Sequence, residues 1–381
     1  MNTVLNSRGS VPEGLGGSHP VGLCKFTVCR DDSIYEAWPD VAIARGERLV
    51  CVFNECTHHA NREYTRIVSV LSDDRGRTWS SKIPVTEPMT KQKESDPHWN
   101  CPRITAMADG SLVVIVDLVG GANEGNSPES IQSNWLYRSF DRGETWTGPC
   151  RTPAIGIVPD RLVVLQHGKH RGRWILSSHR FITLEEGAQC WMQRLWYSDD
   201  QGKSWSAPVT IARSDQYKLC EGCILELSDG ALVCFLRENS FTGMDAFKAI
   251  SRDGGETWDG LYRLPTPGCH RPVAGLLKSG KVMITYRYLP GGKGGWGVWT
   301  QNLFALLTDE AGCLETDRNQ TATRVLPIDY DRSQKADTGY SGWVQFPDGE
   351  IYIVNYILDD APLAYIRGYS LYEDAFVVEA D

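Results

Sequence analysis

Residues 72–79 (SDDRGRTW) form an eight-residue phrase that returns three more times, as residues 139–146 (SFDRGETW), 198–205 (SDDQGKSW) and 251–258 (SRDGGETW). All four copies follow the pattern S-x-D-x-G-x-[ST]-W, and their tryptophans are 67, 59 and 53 residues apart. The pattern is typical of a tight turn: aspartate accepts hydrogen bonds from backbone amides, glycine adopts a positive φ, and tryptophan packs beneath the turn. A period of this length indicates a repeat architecture with one supersecondary unit per repeat.

Six apolar hairpins with a common layout alternate with these turns. Each begins with a proline or small-residue cluster, continues as a short apolar strand, turns at a D-G or similar pair and returns as a longer strand; they occupy residues 38–52, 101–117, 158–178, 220–237, 270–287 and 339–356. Most are followed by another strand pair, and residues 308–312 (TDEAG) carry a degenerate copy of the turn. Six such units without a convincing helix predict an all-β fold, a six-bladed β-propeller with four-stranded antiparallel blades.

The two ends of the chain decide how such a ring closes. We expect a strand near residues 25–30 to pair with one near residues 364–371, because this pairing removes the exposed edges of an open array. A seven-bladed propeller is the alternative if the ends contribute another blade. Residues 1–22 are rich in glycine, proline and serine, which predicts a flexible N-terminal arm. Residues 23–381 are then a single catalytic propeller domain.

Composition narrows the classes of partner. The chain has 381 residues, of which 41% are hydrophobic and 23% charged, as in an ordinary globular protein. It contains no apolar run of membrane-spanning length, so we expect no membrane segment. The net charge of −9 disfavours nucleic acid as a partner, since a phosphate backbone attracts a basic face.

Cysteine usage predicts the compartment. Twelve cysteines occur, and residues 1–22 lack a secretory signal, which together predict free thiols in the reducing cytoplasm. Cys220 and Cys223 form one CxxC pair without a second pair, so we expect neither a zinc site nor another metal or cofactor.

Charged residues cluster where a propeller would bring them to one mouth of its central channel. The starts of the inner strands contribute Asp40, Arg103, Asp160, Arg161, Glu221, Arg271 and Tyr340, and the ends of the second strands contribute Asn54, Glu55, Asp117, His179, Arg180, Arg237 and Arg287. So many charges are costly to bury unless they pair with each other or bind an anion. Two interpretations follow: a structural ring of ion pairs, or an anion-binding catalytic cleft with Asp40 among its substrate ligands.

The eight-residue turn resembles the Asp-box (BNR) repeat of the sialidase superfamily, where it is structural and remote from the chemistry. Residues 220–237 (CEGCILELSDGALVCFLR) resemble the family segment in which a buried glutamate precedes an arginine by sixteen residues. The resemblance implies that Tyr340 is the nucleophile, that Glu221 takes its proton, and that Arg237 and Arg271 bind a substrate carboxylate. Arg103 and Arg287 are expected nearby. A phenol of pKa near 10 needs such a base at neutral pH.

Two departures from the family pattern affect the site. Residues 36–39 read EAWP where the family has an arginine of its triad, and the loop at residues 55–61 (ECTHHAN) lacks the expected aspartate. His58 and His59 lie in that loop, and histidine performs acid–base chemistry near neutral pH. The alternative is that both are solvated loop residues.

Three functions remain on these grounds. The first is an exo-acting glycoside hydrolase that releases a terminal acidic sugar, either sialic acid or a related keto-sugar or uronic acid. The second is a polysaccharide lyase or a histidine-dependent hydrolase acting on uronates, and the third is a non-catalytic carbohydrate-binding propeller. The sugar, the linkage, the stereochemical outcome and the oligomeric state are left open.

Overall fold

A computed structural model describes residues 23–121, 131–183, 187, 189–290 and 300–377. The predicted arm at residues 1–22 lies outside this range. Antiparallel strands dominate the described residues, and in chain order they are β1 (Cys24–Cys29), β2 (Tyr35–Ile43), β3 (Leu49–Cys56), β4 (Tyr64–Ser72), β5 (Ile83–Pro84), β6 (Met89–Thr90), β7 (His98–Ala106), β8 (Leu112–Gly120), β9 (Ile131–Ser139), β10 (Thr147–Ile155), β11 (Val163–Val164), β12 (Trp174–Thr183), β13 (Gln189–Ser198), β14 (Val209–Ser214), β15 (Leu219–Glu226), β16 (Leu232–Glu238), β17 (Asp245–Ser251), β18 (Asp259–Pro267), β19 (Cys269–Leu276), β20 (Lys281–Tyr288), β21 (Asn302–Asp309), β22 (Arg324–Tyr330), β23 (Thr338–Gln345), β24 (Ile351–Ile357) and β25 (Tyr365–Leu371). Helical structure in these ranges amounts to α1 (Glu310–Leu314) and two short 3₁₀ turns (Arg45–Glu47 and Glu373–Phe376). None of these helices is long and apolar enough to cross a membrane.

The strands form six separate sheets, which confirms the six-bladed propeller over the seven-bladed alternative. From the inner strand outward, the sheets are β2-β3-β4-β5, β7-β8-β9-β10, β11-β12-β13-β14, β15-β16-β17-β18, β19-β20-β21-β22 and β23-β24-β25-β1. In the first blade both β5 and β6 pair with β4, so two short strands share the outer position. Buried apolar side chains between neighbouring sheets form the core, and several middle strands, such as β3 and β16, are buried along their whole length.

The ring closes as expected. β1 pairs antiparallel with β25, so the first strand of the chain becomes the outer strand of the last blade. Lys25 on β1 also forms an ion pair with Asp329 on the neighbouring blade. Closure leaves the sixth blade with four strands like its neighbours.

The four repeated phrases form the predicted turns, each between the third and fourth strands of a blade. In the second copy, Asp141 accepts hydrogen bonds from the Ser139 hydroxyl at 2.8 Å and from the backbone amide of Thr145 at 2.9 Å. Gly143 has φ +87°, and the equivalent glycines of the other copies also have positive φ. In the first copy, Arg75 contacts Glu47 and Asp348, which lie in the turns between first and second strands. The four turns therefore lie at the end of the propeller opposite the predicted mouth.

The degenerate fifth copy takes another form. Asp309 caps the one-turn helix α1 and accepts a hydrogen bond from the amide of Gly312 at 2.6 Å. This copy has neither the serine nor the tryptophan of the complete phrase. The aspartate still organises the connection, but as a helix cap.

In the described residues, five of the six inner strands begin with an irregularity of the same kind. The pairing between first and second strands skips two residues there, as at Glu221 and Gly222 between the Cys220–Arg237 and Cys223–Phe235 pairs. The equivalent bulges of three other blades contain Trp38, Arg271 and Gly339, and all of these residues have positive φ, as does Glu221. Bulges re-aim side chains and are frequent near active sites. These five bulges around one mouth thus present non-alternating side chains to the channel entrance.

Candidate active site

Three charged or polar side chains meet at the mouth in direct contact. The Tyr340 hydroxyl donates a short hydrogen bond to Oε1 of Glu221. Nη1 of Arg237 donates to Oε1 and Oε2 of Glu221 at 2.9 and 2.8 Å, and to the Tyr340 hydroxyl oxygen at 3.0 Å. All three side chains are buried. The expected proximity of tyrosine and glutamate is therefore present, with an arginine bonded to both.

Electrostatics keep this glutamate ionised. Burial raises the pKa of Glu221, but Arg237 foremost, together with the hydrogen bond from Tyr340, outweighs burial and lowers the pKa to about 2. Burial and the adjacent Glu221 carboxylate raise the pKa of Tyr340 well above its usual value. At neutral pH the pair is a protonated phenol next to a carboxylate that is ready to accept its proton.

The backbone around Glu221 is held in a strained conformation. Its φ is +49°, in the left-handed region that non-glycine residues avoid. Nδ1 of His179 accepts from the Glu221 amide at 3.2 Å, and Arg271 donates to its carbonyl at 3.4 Å. Because Nδ1 accepts this bond, the imidazole is neutral, and burial foremost lowers the pKa of His179 to about 4. Such strain persists where the surroundings enforce it, and it often marks a functional site.

Two of the predicted arginines are buried against the backbone next to this cluster. Arg271 has no exposed surface and donates through Nη2 to the carbonyl of Pro159 at 2.9 Å. Arg103 is 1% exposed and donates to the carbonyl of Ser341 at 2.9 Å, while burial and the nearby Arg271 lower its pKa to about 10. The geometry favours a positioning role for Arg271, because it holds the carbonyl of the glutamate. Its implied role as a carboxylate ligand stays a prediction.

Asp40 also lies inside the channel. It is fully buried, forms a two-pronged ion pair with Arg161 and accepts a hydrogen bond from the amide of Ile104 at 3.0 Å. Burial opposes ionisation, but Arg161 lowers the pKa of Asp40 below its usual value. This aspartate therefore belongs to a buried ion pair with Arg161. Its expected role as a substrate ligand stays a prediction.

Arg287 lies beside the nucleophile candidate. Its guanidinium carbon is 5.1 Å from the centre of the Tyr340 ring, and Nη1 donates to Gln301 at 3.3 Å. It ends the second strand of its blade in the position that Arg237 occupies on the preceding blade, opposite His270 and Cys220 respectively. A Cβ on Gly339 would come within 2.3 Å of Cβ of Arg287. The glycine before Tyr340 thus permits this close approach.

The two loop histidines have different surroundings. Nδ1 of His59 lies 2.5 Å from Oδ2 of Asp337, and its ring meets the Trp38 ring edge-on at 5.3 Å. His58 accepts a hydrogen bond from the amide of Ala60 at 3.3 Å, within its own turn. Its ring contacts Tyr35 at 5.1 Å. The structure therefore distinguishes between the two candidates, because only His59 has a carboxylate partner.

Four residues that the sequence had not indicated complete the mouth. Asp337 lies three residues before Tyr340, and Trp38 occupies the bulge of the first blade. The Arg62 guanidinium lies over the Trp38 ring at 3.9 Å, with a buried Nη1 that has no hydrogen-bond partner. Phe241 is 42% exposed and covers Arg237 at 5.6 Å. For Asp337 the available sequence signal was its place in the same segment as Tyr340, residues 337–341 (DTGYS).

The described part of the chain contains no cluster of side chains suited to bind a metal ion. No group of three or more histidine, cysteine, aspartate or glutamate side chains is arranged there to hold an ion. All twelve cysteines, including Cys220 and Cys223, are free thiols, as predicted from the sequence.

Curated relatives named as sialidases match the chain at low identity. It is 27% identical over 210 residues to a sialidase of Micromonospora viridifaciens, covering 50% of this chain and 31% of the relative. It is 21% identical over 246 residues to a sialidase of Clostridium perfringens, covering 56% and 63%. The chain thus spans less than two thirds of the length of these relatives.

Solved structures share the fold over nearly the whole chain. A protein of unknown function from Dyadobacter fermentans superimposes with a TM-score of 0.72 at 20% identity, covering 91% of this chain and 97% of that one. The intramolecular trans-sialidase of Ruminococcus gnavus superimposes with a TM-score of 0.63 at 14% identity, covering 91% and 96%. The model of the BNR repeat-like domain matches residues 47–353. With four Asp-box turns on six blades and this match across most of its length, the chain belongs to the BNR repeat-like family of the sialidase superfamily.

Proposed function

We propose that the protein is an exo-acting glycoside hydrolase that releases a terminal acidic sugar through a tyrosine nucleophile. The observation that carries the proposal is the contact of the Tyr340 hydroxyl with the Glu221 carboxylate, braced by Arg237. A carbohydrate-binding propeller without activity has no need of a buried base bonded to a phenol. The names of the sialidase relatives support the same class of substrate.

The buried triad supports nucleophilic attack on an anomeric carbon. As the Tyr340 oxygen forms its bond to carbon, its proton passes to Glu221, and Nη1 of Arg237 stabilises the charge that develops on the phenol oxygen. A phenol is neutral until that moment. It therefore avoids the repulsion that a carboxylate nucleophile would meet at a carbon bearing a carboxylate, and tyrosine nucleophiles are known exceptions to the two-carboxylate plan.

The acidity of the substrate is supported by guanidinium groups at the mouth. Arg237 and Arg287 end equivalent strands on adjacent blades and flank Tyr340, and two such groups suit a planar carboxylate. Arg62 adds a third cation over Trp38 with an unpartnered buried nitrogen. Ala37 occupies the position of the missing family arginine. This change leaves a keto-sugar acid or a uronic acid as suitable as sialic acid.

A panel of fluorogenic glycosides tests the proposal. It should include the α-sialoside, a keto-deoxy sugar acid and the uronides, each offered to the wild type and to the Tyr340→Phe variant. We expect release from at least one acidic glycoside and loss of turnover of about a thousandfold or more in the variant, with binding nearly intact because only one oxygen is deleted. If the wild type cleaves none of these glycosides, or if Tyr340→Phe keeps the wild-type rate, the mechanism is contradicted. Ultraviolet absorbance from an unsaturated product would instead indicate a lyase.

A further inference from the structure

Hydrolysis by this triad lacks one component, which is a proton for the departing oxygen. Glu221 receives the proton of Tyr340 in the same step, so it cannot also supply the leaving group. We infer that His59, oriented by Asp337, is the general acid that protonates the leaving oxygen and the general base that then activates water. The inference rests on the proposed function and assigns a catalytic residue and its positioning partner.

The geometry of His59 suits this task. Its Nδ1 is bonded to Oδ2 of Asp337, which fixes the ring orientation and keeps a proton on Nδ1. The side chain is 41% exposed while that of Asp337 is 16% exposed. With Nδ1 engaged by Asp337, Nε2 is the nitrogen that remains for a leaving group or a water molecule. A carboxylate behind an imidazole in this manner holds the tautomer and stabilises the imidazolium.

Asp337 is built to remain charged. It accepts hydrogen bonds from the Tyr35 hydroxyl and, at 2.8 Å, from the Tyr356 hydroxyl. Burial raises the pKa of Asp337, but the bonds from His59 and Tyr35 outweigh it and hold the pKa below its usual value. Its amide donates to Asp331 at 2.9 Å, which fixes the backbone at this point. An anion with three side-chain donors is a rigid support for an imidazole.

The dyad adjoins the nucleophile through one shared residue. Tyr356, which bonds to Asp337, meets the Tyr340 ring edge-on at 6.3 Å and the Trp38 ring at 6.0 Å. Trp38 in turn contacts the His59 ring at 5.3 Å. The imidazole and the phenol therefore border the same aromatic basin.

The other charged groups around the imidazole are few. Arg62 donates to the backbone carbonyl of His59 at 2.9 Å, and His58 is its neighbour in the loop. Arg287 acts on Asp337 from the fifth blade and helps to keep that carboxylate ionised. Against Arg62 and Arg287, Asp337 is the anion in hydrogen-bond contact with the ring. This carboxylate therefore orients the imidazole.

The two steps balance in atoms and charge. In the first, the Tyr340 oxygen bonds to the anomeric carbon, the glycosidic C–O bond breaks, the phenol proton goes to Glu221, and the His59 imidazolium protonates the leaving oxygen. In the second, the neutral imidazole takes a proton from water, whose oxygen bonds to the anomeric carbon. The bond from that carbon to the tyrosine oxygen breaks, and Glu221 returns the proton to the phenol.

The leaving group supplies the decisive test. We compare His59→Gln with wild type on two glycosides of the acidic sugar that the wild type cleaves, one with a 4-methylumbelliferyl group and one with a methyl group. The aryl group departs without full protonation and the alkyl group does not, and general acids contribute about 10²–10⁴-fold. We expect kcat/KM to fall at least about a hundredfold on the methyl glycoside and less than about tenfold on the aryl one. His58→Gln is the matched control and should change both alike and little.

Asp337 is tested through the pH dependence. In Asp337→Asn the basic limb of the kcat/KM profile should move to lower pH by about one unit, because the charge that stabilises the imidazolium is gone. Tyr35→Phe removes one hydrogen bond to the same carboxylate without changing its charge, and should leave the limb in place. A wild type that cleaves no glycoside would remove the proposed function and this inference with it. Two results with an active wild type would overturn the inference alone. One is an equal loss of kcat/KM on both glycosides in His59→Gln. The other is a basic limb of the kcat/KM profile that does not move in Asp337→Asn.

Discussion

The residues of the candidate site differ in whether their substitution would leave a buried charge unpaired. Glu221 keeps its carboxylate ionised in the interior only because Arg237 donates to both oxygens and Tyr340 to one. Removing one partner of such a pair leaves an uncompensated buried charge. A change at either residue therefore alters stability as well as chemistry, whereas Tyr340→Phe leaves the ion pair in place. Substitution of Tyr340 therefore tests the chemistry with the least effect on stability.

The arginines can be separated by substrate charge. Arg287→Ala should lower kcat/KM on the acidic substrate at least about tenfold, which is about 1.4 kcal/mol, because a charged hydrogen bond to the carboxylate is lost. It should cost little on the methyl ester of that substrate. Arg271→Ala should affect acid and ester equally and lower the unfolding free energy, since the carbonyls of Pro159 and Glu221 lose their donor. Selective loss on the acid in Arg271→Ala would instead support the role as carboxylate ligand that the family resemblance implies.

His179 makes stability depend on pH. Its pKa is about 4 in the fold against about 6.5 when unfolded, so below pH 6.5 the unfolded chain binds a proton that the fold refuses. Stability is therefore full above pH 6.5 and declines as the pH falls towards 4, by roughly 3 kcal/mol from this residue. Urea unfolding at stepped pH should show a shallower decline in His179→Gln. The exposed His167→Gln is the control, and a decline of unchanged steepness in His179→Gln would assign the effect elsewhere.

The Asp-box turns stabilise the fold and lie away from the candidate site. The Asp-box turns tie the third and fourth strands together at the end of the propeller away from the mouth, through hydrogen bonds of one aspartate to its own turn. Local bonds of this kind can be read from the sequence because all partners lie within eight residues. The bulges at the mouth could not be read in this way. Each depends on the register between two strands, and a shift of one residue exchanges the faces.

An Asp-box variant should separate stability from activity. Asp141→Ala removes acceptors for Ser139 and Thr145 and should lower the unfolding free energy by about 1–3 kcal/mol, as loss of comparable local caps does. The kcat of the folded enzyme should stay within twofold of the wild type. Chemical unfolding and initial rates measure the two quantities, with the exposed Asp215→Asn as the matched control. A large loss of kcat with unchanged stability would place this turn near the chemistry.

At the scale of the whole molecule, the ring depends on the pairing of its two ends. Deletion of residues 1–29 removes β1 and should leave β25 as an open edge, which lowers the thermal midpoint and promotes association. Deletion of residues 1–22 alone should change neither, if the predicted arm carries no part of the propeller. Thermal unfolding and size-exclusion chromatography distinguish the two truncations. Equal midpoints in both would show that closure by β1 adds little.

The sequence by itself determined the repeat and the turns, and it predicted six blades and the strand that closes them, because each rests on a local pattern of apolar runs and turn residues. The structure excluded the seven-bladed alternative. The sequence also placed Glu221 and Tyr340 at one mouth, since both begin inner strands, and the resemblance to the sialidase superfamily implied their pairing. Only the tertiary structure decided that Arg271 and Asp40 lie in the channel. It alone brought Asp337 to His59 across 278 residues. Depth along a channel and contact across a ring depend on bulge register and closure, and no local pattern in the chain encodes either.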